Sequence, residues 1–316
     1  MTGRNRRGLA GLVPALSVLA LLLPFAAGAA EFQLFGRGKG LPSSWITSVA
    51  FSPDGNLWVG TGDSGVYHLD PSTGKAQGFR AVDGLSSDAV VSIALSGGSV
   101  YVGTSEGISV FDGKRWTRVD KAGSVTLRNV RLAASPDGKE LWACSVYLAG
   151  GTLRNDGGAW KFMGGEGRGL FNDVQGFAFL DGSVLLGGGS GTAYVRKGEE
   201  LSVLAEGLPP VNVFSAGAAG GKWLLGTSKG LYRFDGRWAP VPLPGTFSGE
   251  PVFAIASSGD RTAVGTAVGV VLLGEGEAKT LDASGGLPSS RVTAVAATGD
   301  FVAAGTPNGL ALIRKW

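Results

Sequence analysis

Side chains that commonly carry out catalysis are scarce in this sequence of 316 residues. It has one histidine, His68, inside a strand-like segment, and one cysteine, Cys144. With no second histidine and no cysteine cluster, His68 cannot anchor a conventional zinc site. We therefore predict that the chain is not an enzyme and that it uses no metal and no cofactor. Cys144 is interpreted as a small buried apolar residue.

Two further motifs bear on calcium and phosphate chemistry. Asp-Gly pairs begin at Asp54, Asp137 and Asp181, but none is followed by the alternating oxygen ligands that a calcium loop requires. The glycine-rich segments GGEGRG (164–169) and GGGSG (187–191) neither precede a helix nor contain a lysine, so a phosphate cradle is not expected. We interpret all of these segments as turns.

Residues 1–29 are predicted to be a removed export signal. Three arginines precede an apolar run, and Ala27 and Ala29 occupy the −3 and −1 positions of a signal-peptidase site. Removal takes three of the 28 basic residues and none of the 25 acidic ones, so the mature chain is formally neutral. We expect a periplasmic or extracellular protein that does not bind nucleic acid and has no membrane span after signal removal. A retained membrane anchor is the alternative.

The rest of the chain is repetitive. The glycine of the phrase LWVGT recurs every 39 to 43 residues. The seven equivalent positions are Gly60, Gly103, Cys144, Gly187, Gly226, Gly265 and Gly305. Helical repeats of this length would show a 3.6-residue apolar period, which is absent, whereas short strands separated by Asp-Gly and Ser-Gly turns are typical of propeller blades. The sequence therefore predicts an all-β protein, a single seven-bladed β-propeller over residues 30–316.

Each of the first six repeats divides into four strands, which in the first repeat are ITSVAFS, LWVGT, VYHLD and part of PSTGKAQGFRAV. Trp116, Trp160 and Trp238 fall in outer strands, where we expect them to pack against a neighbouring blade. The seventh repeat is one strand short, and EFQLF at 31–35 belongs to no repeat. Pairing that segment with the last blade would remove an open edge, giving a 3+1 closure.

Such a propeller brings two sets of loops together on one face, around the central channel. These are the segments that enter the inner strands and the turns between the second and third strands, and function commonly lies on such loops. The candidate ligand-binding residues there are Trp45, Asp63, Asp88, Glu106, Asn172, Asp173, Asn212, Lys229, Glu250, Arg291 and Asn308. Their mixed polar and charged groups suit a polar ligand or a wet protein interface.

Trp45 is the most informative of these candidates, because no packing rule requires an indole at its position. Equivalent junctions hold Ala89, Asp173, Asn212 or Arg291. An exposed indole can stack on a sugar ring or act as a protein hot spot. The alternative is a buried lid over the start of the first blade.

The junctions GLPSSWI (40–46), GLSSDAV (84–90) and GLPSSRV (286–292), joined to the LWVGT phrase, resemble the two-component regulator propeller repeat. The resemblance spans the mature chain and implies an extracytoplasmic ligand-binding propeller. Sensors of that family usually continue into a second propeller, a small β-sandwich, a membrane helix and a kinase, for which 316 residues leave no room. We therefore expect a freestanding, exported monomer.

Three functions follow from these observations. The leading one is recognition of a polar ligand, such as a carbohydrate, at the channel face. The second is an interaction scaffold that binds a partner protein in an envelope assembly. The most remote is a streptogramin lyase, because those enzymes are also seven-bladed propellers. Their elimination reaction depends on histidine near a metal, and this sequence lacks the residues for it.

Overall fold

The computed structural model describes residues 31–123, 125–145, 151–163, 173–314 and 316. The predicted export signal (1–29) and the candidate Asn172 lie outside these ranges. The described residues form six antiparallel sheets of four strands and a seventh in which a short fifth strand joins four antiparallel ones, and the inner strand of each sheet contacts that of the next around a closed ring. The predicted seven-bladed propeller is thereby confirmed. Within the same ranges, no helix is long and apolar enough to cross a bilayer.

Blades one to six are meanders that run from an inner strand at the channel to an outer strand at the rim. Blades one to three comprise Ile46–Phe51, Leu57–Thr61, Val66–Leu69 and Ala76–Phe79; Val90–Ser96, Ser99–Thr104, Gly107–Phe111 and Trp116–Val119; and Val130–Ala134, Leu141–Ser145, Thr152–Asn155 and Lys161–Phe162. Blades four and five comprise Val174–Leu180, Ser183–Gly188, Thr192–Lys197 and Glu200–Val203; and Val213–Ala219, Lys222–Thr227, Gly230–Phe234 and Trp238–Val241.

The last two blades and the connecting elements complete the described chain. Blade six comprises Val252–Ser258, Arg261–Thr266, Val270–Leu273 and Lys279–Leu281; blade seven comprises Ala294–Ala297, Phe301–Thr306, Gly309–Arg314 and Glu31–Arg37. Short strands Lys121–Ala122 and Val125–Thr126 form a hairpin, and Gly40–Leu41 adds to blade seven. The 3-10 turns Ala81–Asp83 and Gly245–Phe247 lie between blades.

Both ends of the described chain meet in blade seven. Glu31–Arg37 pairs antiparallel with Gly309–Arg314, with Phe32 opposite Ile313 and Phe35 opposite Leu310. Phe35 is buried in a core cluster shared by blades one and seven. The ring is therefore tied together by a strand from one terminus and three strands from the other.

The first glycine and the threonine of the repeated phrase GT..G each have a structural role. A Cβ added to Gly60 would lie 2.5 Å from Val90 Cγ1 in the next blade, so the close approach of blades one and two requires a glycine. The following Thr61 is fully buried; its hydroxyl donates to the carbonyl of Gly65 at 2.8 Å and accepts from the backbone of Ser64 at 3.0 Å. Threonine thus fixes the turn that faces the channel mouth.

Apolar side chains fill the spaces between successive blades. Trp238 is buried among residues of blades four and five, and its indole nitrogen donates to the carbonyl of Leu204 at 2.8 Å. Trp116 packs between blades one and two, and Trp160 between blades two and three. The predicted packing role of these tryptophans is confirmed. Cys144 is also buried, as expected, and desolvation raises the pKa of its thiol to about 11.

Candidate ligand site at the channel mouth

In five of the blades, a β-bulge near the start of the inner strand leaves one residue outside the ladder. In blade one, Ile46 pairs with Thr61 and Ser48 with Gly60, so Thr47 has no partner in the ladder. The register shifts in the same way in blades two, four, five and six. The bulged residues of these four blades are Val91, Gln175, Phe214 and Phe253. Bulges re-aim side chains in this manner, often beside functional sites.

The bulged residues Thr47, Val91, Phe214 and Phe253 help to form a cavity of about 510 Å³ at the mouth of the channel. Residues from six of the seven blades line it, which places it on the axis of the propeller. The lining residues are Trp45, Thr47, Gly62, Ala89, Val90, Val91, Ser105, Asn129, Arg131, Phe214, Phe253, Arg291 and Thr293. The volume lies within the range of small-molecule sites.

One wall of the cavity is aromatic and carries a stacked cation. The rings of Phe214 and Phe253, on blades five and six, lie 5.5 Å apart. The guanidinium carbon of Arg291, from the segment that enters blade seven, lies 4.8 Å from the centre of the Phe253 ring. Among the described residues, that guanidinium makes no ion pair and no hydrogen bond within the protein. Its N–H donors are therefore available to a ligand.

Trp45 lies on the same rim and is 51% exposed. Its ring covers Gly62 so closely that a Cβ at that glycine would overlap it. The backbone of Gly62 donates to the carbonyl of Trp45 at 3.0 Å. The absence of a side chain at Gly62 therefore lets one face of the indole pack against the turn. Because half of the Trp45 side chain stays exposed, the alternative of a buried lid is not supported.

Polar groups of the cavity differ in how far the protein already uses them. The hydroxyls of Thr47 and Thr293 each donate to an inner-strand carbonyl of the adjacent blade at 2.8 Å, so these hydrogen bonds link neighbouring blades. Asn129 adopts a left-handed backbone conformation with φ 47°, which asparagine tolerates better than most residues. Because that turn begins the inner strand of blade three, it presents Asn129 at the cavity.

Of the sequence-predicted candidates, Trp45 and Arg291 line this cavity. The carboxylate of Asp88 is instead held by Arg80 at 2.7 Å and by the backbone of Ala81 at 2.6 Å. Asp173 accepts from the backbone and the hydroxyl of Ser190, both at 2.9 Å. These two carboxylates brace loops of the mouth.

The remaining described candidates lie on the surrounding turns, outside the cavity lining. Asp63, Glu106, Lys229 and Asn308 are exposed turn residues between second and third strands, Asn212 is exposed at the entrance of blade five, and Glu250 is half-buried before blade six. Their role in binding stays a prediction.

Sequence reasoning missed Phe214, Phe253, Arg131 and Asn129. The aligned repeats contained a signal for three of them. Phe214, Phe253 and Arg131 each directly follow a buried valine at the start of an inner strand. Period-two alternation assigns such a residue to the sheet face, whereas the bulges turn Phe214 and Phe253 toward the channel.

A second depression of about 590 Å³ lies at the opposite ends of the inner strands, in blades one to three. His68 lies there, stacked on Trp58 with ring centres 4.6 Å apart and with Nε2 3.9 Å from Asp54 Oδ2. The carboxylates of Asp54 and Asp137 are held by serine hydroxyls at 2.6 and 2.7 Å, which lowers the pKa of both. Because its acids are already used in turns, this depression is the weaker candidate site.

The fold defines a class of protein, the seven-bladed β-propellers built from repeated four-stranded units. Residues 40–63 match the family model of the two component regulator propeller, and the resemblance to that repeat is confirmed. A comparison with curated proteins gives no match.

Solved structures with the same fold have diverse functions. The extracellular domain assigned to a hybrid two component system of B. thetaiotaomicron superposes with a TM-score of 0.75 and 19% identity over 90% of this chain, which spans only 41% of that neighbour. Virginiamycin B lyase from Staphylococcus aureus superposes with a TM-score of 0.71 and 10% identity, over 91% of this chain and 100% of the lyase. YCF48 bound to D1 peptide superposes with a TM-score of 0.67 and 12% identity, over 96% of this chain and 98% of YCF48. At these identities the likeness concerns the fold, which does not by itself select a function.

Proposed function

We propose that this protein is an exported, non-catalytic recognition module that binds a polar ligand, such as a carbohydrate, at the channel mouth. The observation that carries the proposal is the axial cavity of about 510 Å³ to which six blades contribute. Its walls combine aromatic faces with a guanidinium whose donors no described residue uses. That combination suits a molecule with an apolar ring face and a polar edge, as sugars have.

Two similarities support the extracytoplasmic part of the proposal. The chain carries a repeat of the two component regulator propeller. A neighbour of the same fold is the extracellular domain of a two component system. The predicted export signal at residues 1–29 agrees with that location and remains a prediction.

The proposal is tested by replacing Trp45 with alanine and measuring binding to an array of neutral and acidic oligosaccharides. We expect the loss of about 2 kcal/mol of binding free energy, roughly 30-fold in Kd, with an unchanged melting temperature. Phe162→Ala is the matched control, since Phe162 is an exposed aromatic on the rim of blade three, 41% accessible. A Trp45→Ala protein that melts earlier but binds normally would contradict the proposal.

A second candidate function, that of an interaction scaffold, is favoured by apolar groups on the rim. Phe162, Leu201 and Val203 are exposed on the outer strands of blades three and four, the last of them by 62%. Exposed apolar side chains on neighbouring blade edges suit a protein partner. If Leu201→Lys with Val203→Lys abolishes capture of an envelope protein and spares oligosaccharide binding, the rim is the interaction surface.

A further inference from the structure

We propose that the channel mouth selects organic anions, specifically ligands that carry a carboxylate next to a flat ring face. This inference rests on the function proposed above and narrows its ligand class. It is drawn from the charge of the cavity, from the state of Arg291 and from the aromatic wall beside it.

The charge of the cavity has one sign. Among the described residues that line it, the charged ones are Arg131 and Arg291, and no aspartate or glutamate accompanies them. Arg131 belongs to blade three and Arg291 to the entrance of blade seven, so they lie on opposite sides of a ring of seven. A cavity with low-dielectric walls that contains the guanidinium of Arg291 and no described acid attracts and concentrates anions.

Arg291 differs from the arginines of this propeller that pair with acids. Arg80, Arg154 and Arg196 each lie within 2.7 Å of a carboxylate oxygen, from Asp88, Glu140 and Glu199 respectively. Arg291 has no such acid among the described residues, although it reaches into a cavity. A ligand carboxylate would supply the missing partner.

The aromatic contact prepares Arg291 for that role. A guanidinium stacked on a ring keeps its N–H donors in the plane of the fork, where they can bind a carboxylate through two parallel hydrogen bonds. Stacking at 4.8 Å on Phe253 restricts the side chain before binding. Less conformational entropy is then lost when the ligand arrives.

The ring face of the ligand is inferred from the other side chains. Phe214 and Phe253 form one aromatic wall, and the half-exposed indole of Trp45 lies on the same rim. Both a sugar acid and an aromatic acid have a carboxylate beside a ring. The chemistry they share is what the site recognises, and experiment separates the two sources.

The test uses two pairs of compounds, each an acid and a neutral derivative of its carboxyl group. Trigalacturonate is compared with its methyl ester, and 4-hydroxybenzoate with 4-hydroxybenzamide, by calorimetry on the mature protein. We expect the acid of at least one pair to bind at least tenfold more tightly than its neutral partner, and added salt to reduce this preference. The pair that shows it identifies the source.

Arg291→Gln should remove the preference and leave the melting temperature unchanged, because Arg291 is exposed. Arg291→Lys should retain part of it, since charge remains but the fork is lost. Arg237→Gln is the control, because it removes the same charge from an exposed turn of blade five.

Equal binding of acid and neutral compound, with Trp45→Ala weakening both, would overturn the anion preference while the proposed function stands. An acid preference that survives both Arg291→Gln and Trp45→Ala would place binding away from the mouth and overturn both proposals. Failure of both acids to bind would also overturn the anion preference, whereas the oligosaccharide array tests the proposed function separately.

Discussion

At the scale of single residues, burial decides which reactive groups can react. Cys144 is fully buried in blade three, at the position that glycine occupies in the other repeats. Desolvation is the largest cause of its raised pKa, and the nearby Arg131 opposes it only in part. The thiolate needed for oxidation or alkylation is therefore scarce at neutral pH.

This burial predicts a pH dependence of stability. The pKa of the thiol rises from its ordinary 9.0 to about 11 in the folded protein, so folding favours the protonated form. The associated stability is complete below pH 9 and is lost as the pH rises toward 11. Between these limits, urea denaturation should show that the wild type loses on the order of 2 kcal/mol more than Cys144→Ala. Equal slopes for the two proteins would show that Cys144 is solvated.

At the scale of elements, the turn between the second and third strands is stabilised by the buried threonine. In blade five, Thr227 donates to the carbonyl of Gly230 at 2.9 Å and accepts from the backbone of Lys229 at 3.1 Å. The same arrangement recurs at Thr104, Thr266 and Thr306. The repeat motif therefore encodes the local geometry of the mouth as well as the blade period.

Thr227→Val keeps the shape of this side chain and removes both hydrogen bonds. Leaving a buried carbonyl and a backbone N–H without these partners should destabilise the protein by about 1–3 kcal/mol. The exposed strand residue Thr280 supplies the control, Thr280→Val, which we expect to be neutral. Calorimetric melting of both variants measures the difference, and similar melting temperatures would argue against the threonine's role.

At the scale of the whole molecule, stability depends on closing the ring. Each blade buries its apolar side chains against its neighbours, so an incomplete blade exposes core on two sides. Glu31–Arg37 fills the outer position of blade seven and brings Phe35 into the core cluster of blades one and seven. The ladder and this burial both hold the termini together.

Removal of residues 31–36 from the mature chain should lower the melting temperature by several degrees, because the loss of a paired strand and its burial costs on the order of a few kcal/mol. Phe35→Ala should reproduce part of this effect, while Phe162→Ala, at an exposed site, should not. A melting curve unchanged by the deletion would contradict this account of ring closure.

The sequence alone determined the architecture. A 40-residue period of strands and glycine turns leaves a propeller as the fold that can bury such repeats, and the unpaired strand at 31–35 indicated where the ring closes. It also determined that Trp45 and Arg291 lie on the channel face, because junction residues repeat at equivalent positions and share one end of the blades.

The tertiary structure decided which side chains meet at the axis. Asp88 and Asp173 matched the polar profile of a site, but their carboxylates are used within loops, by Arg80 and Ser190. In the sequence, Phe214 and Phe253 resemble ordinary strand residues. The structure shows that β-bulges direct their side chains toward the channel. A bulge depends on how two strands pair and on the approach of the next blade, and these long-range contacts are not encoded in the local alternation of apolar and polar residues.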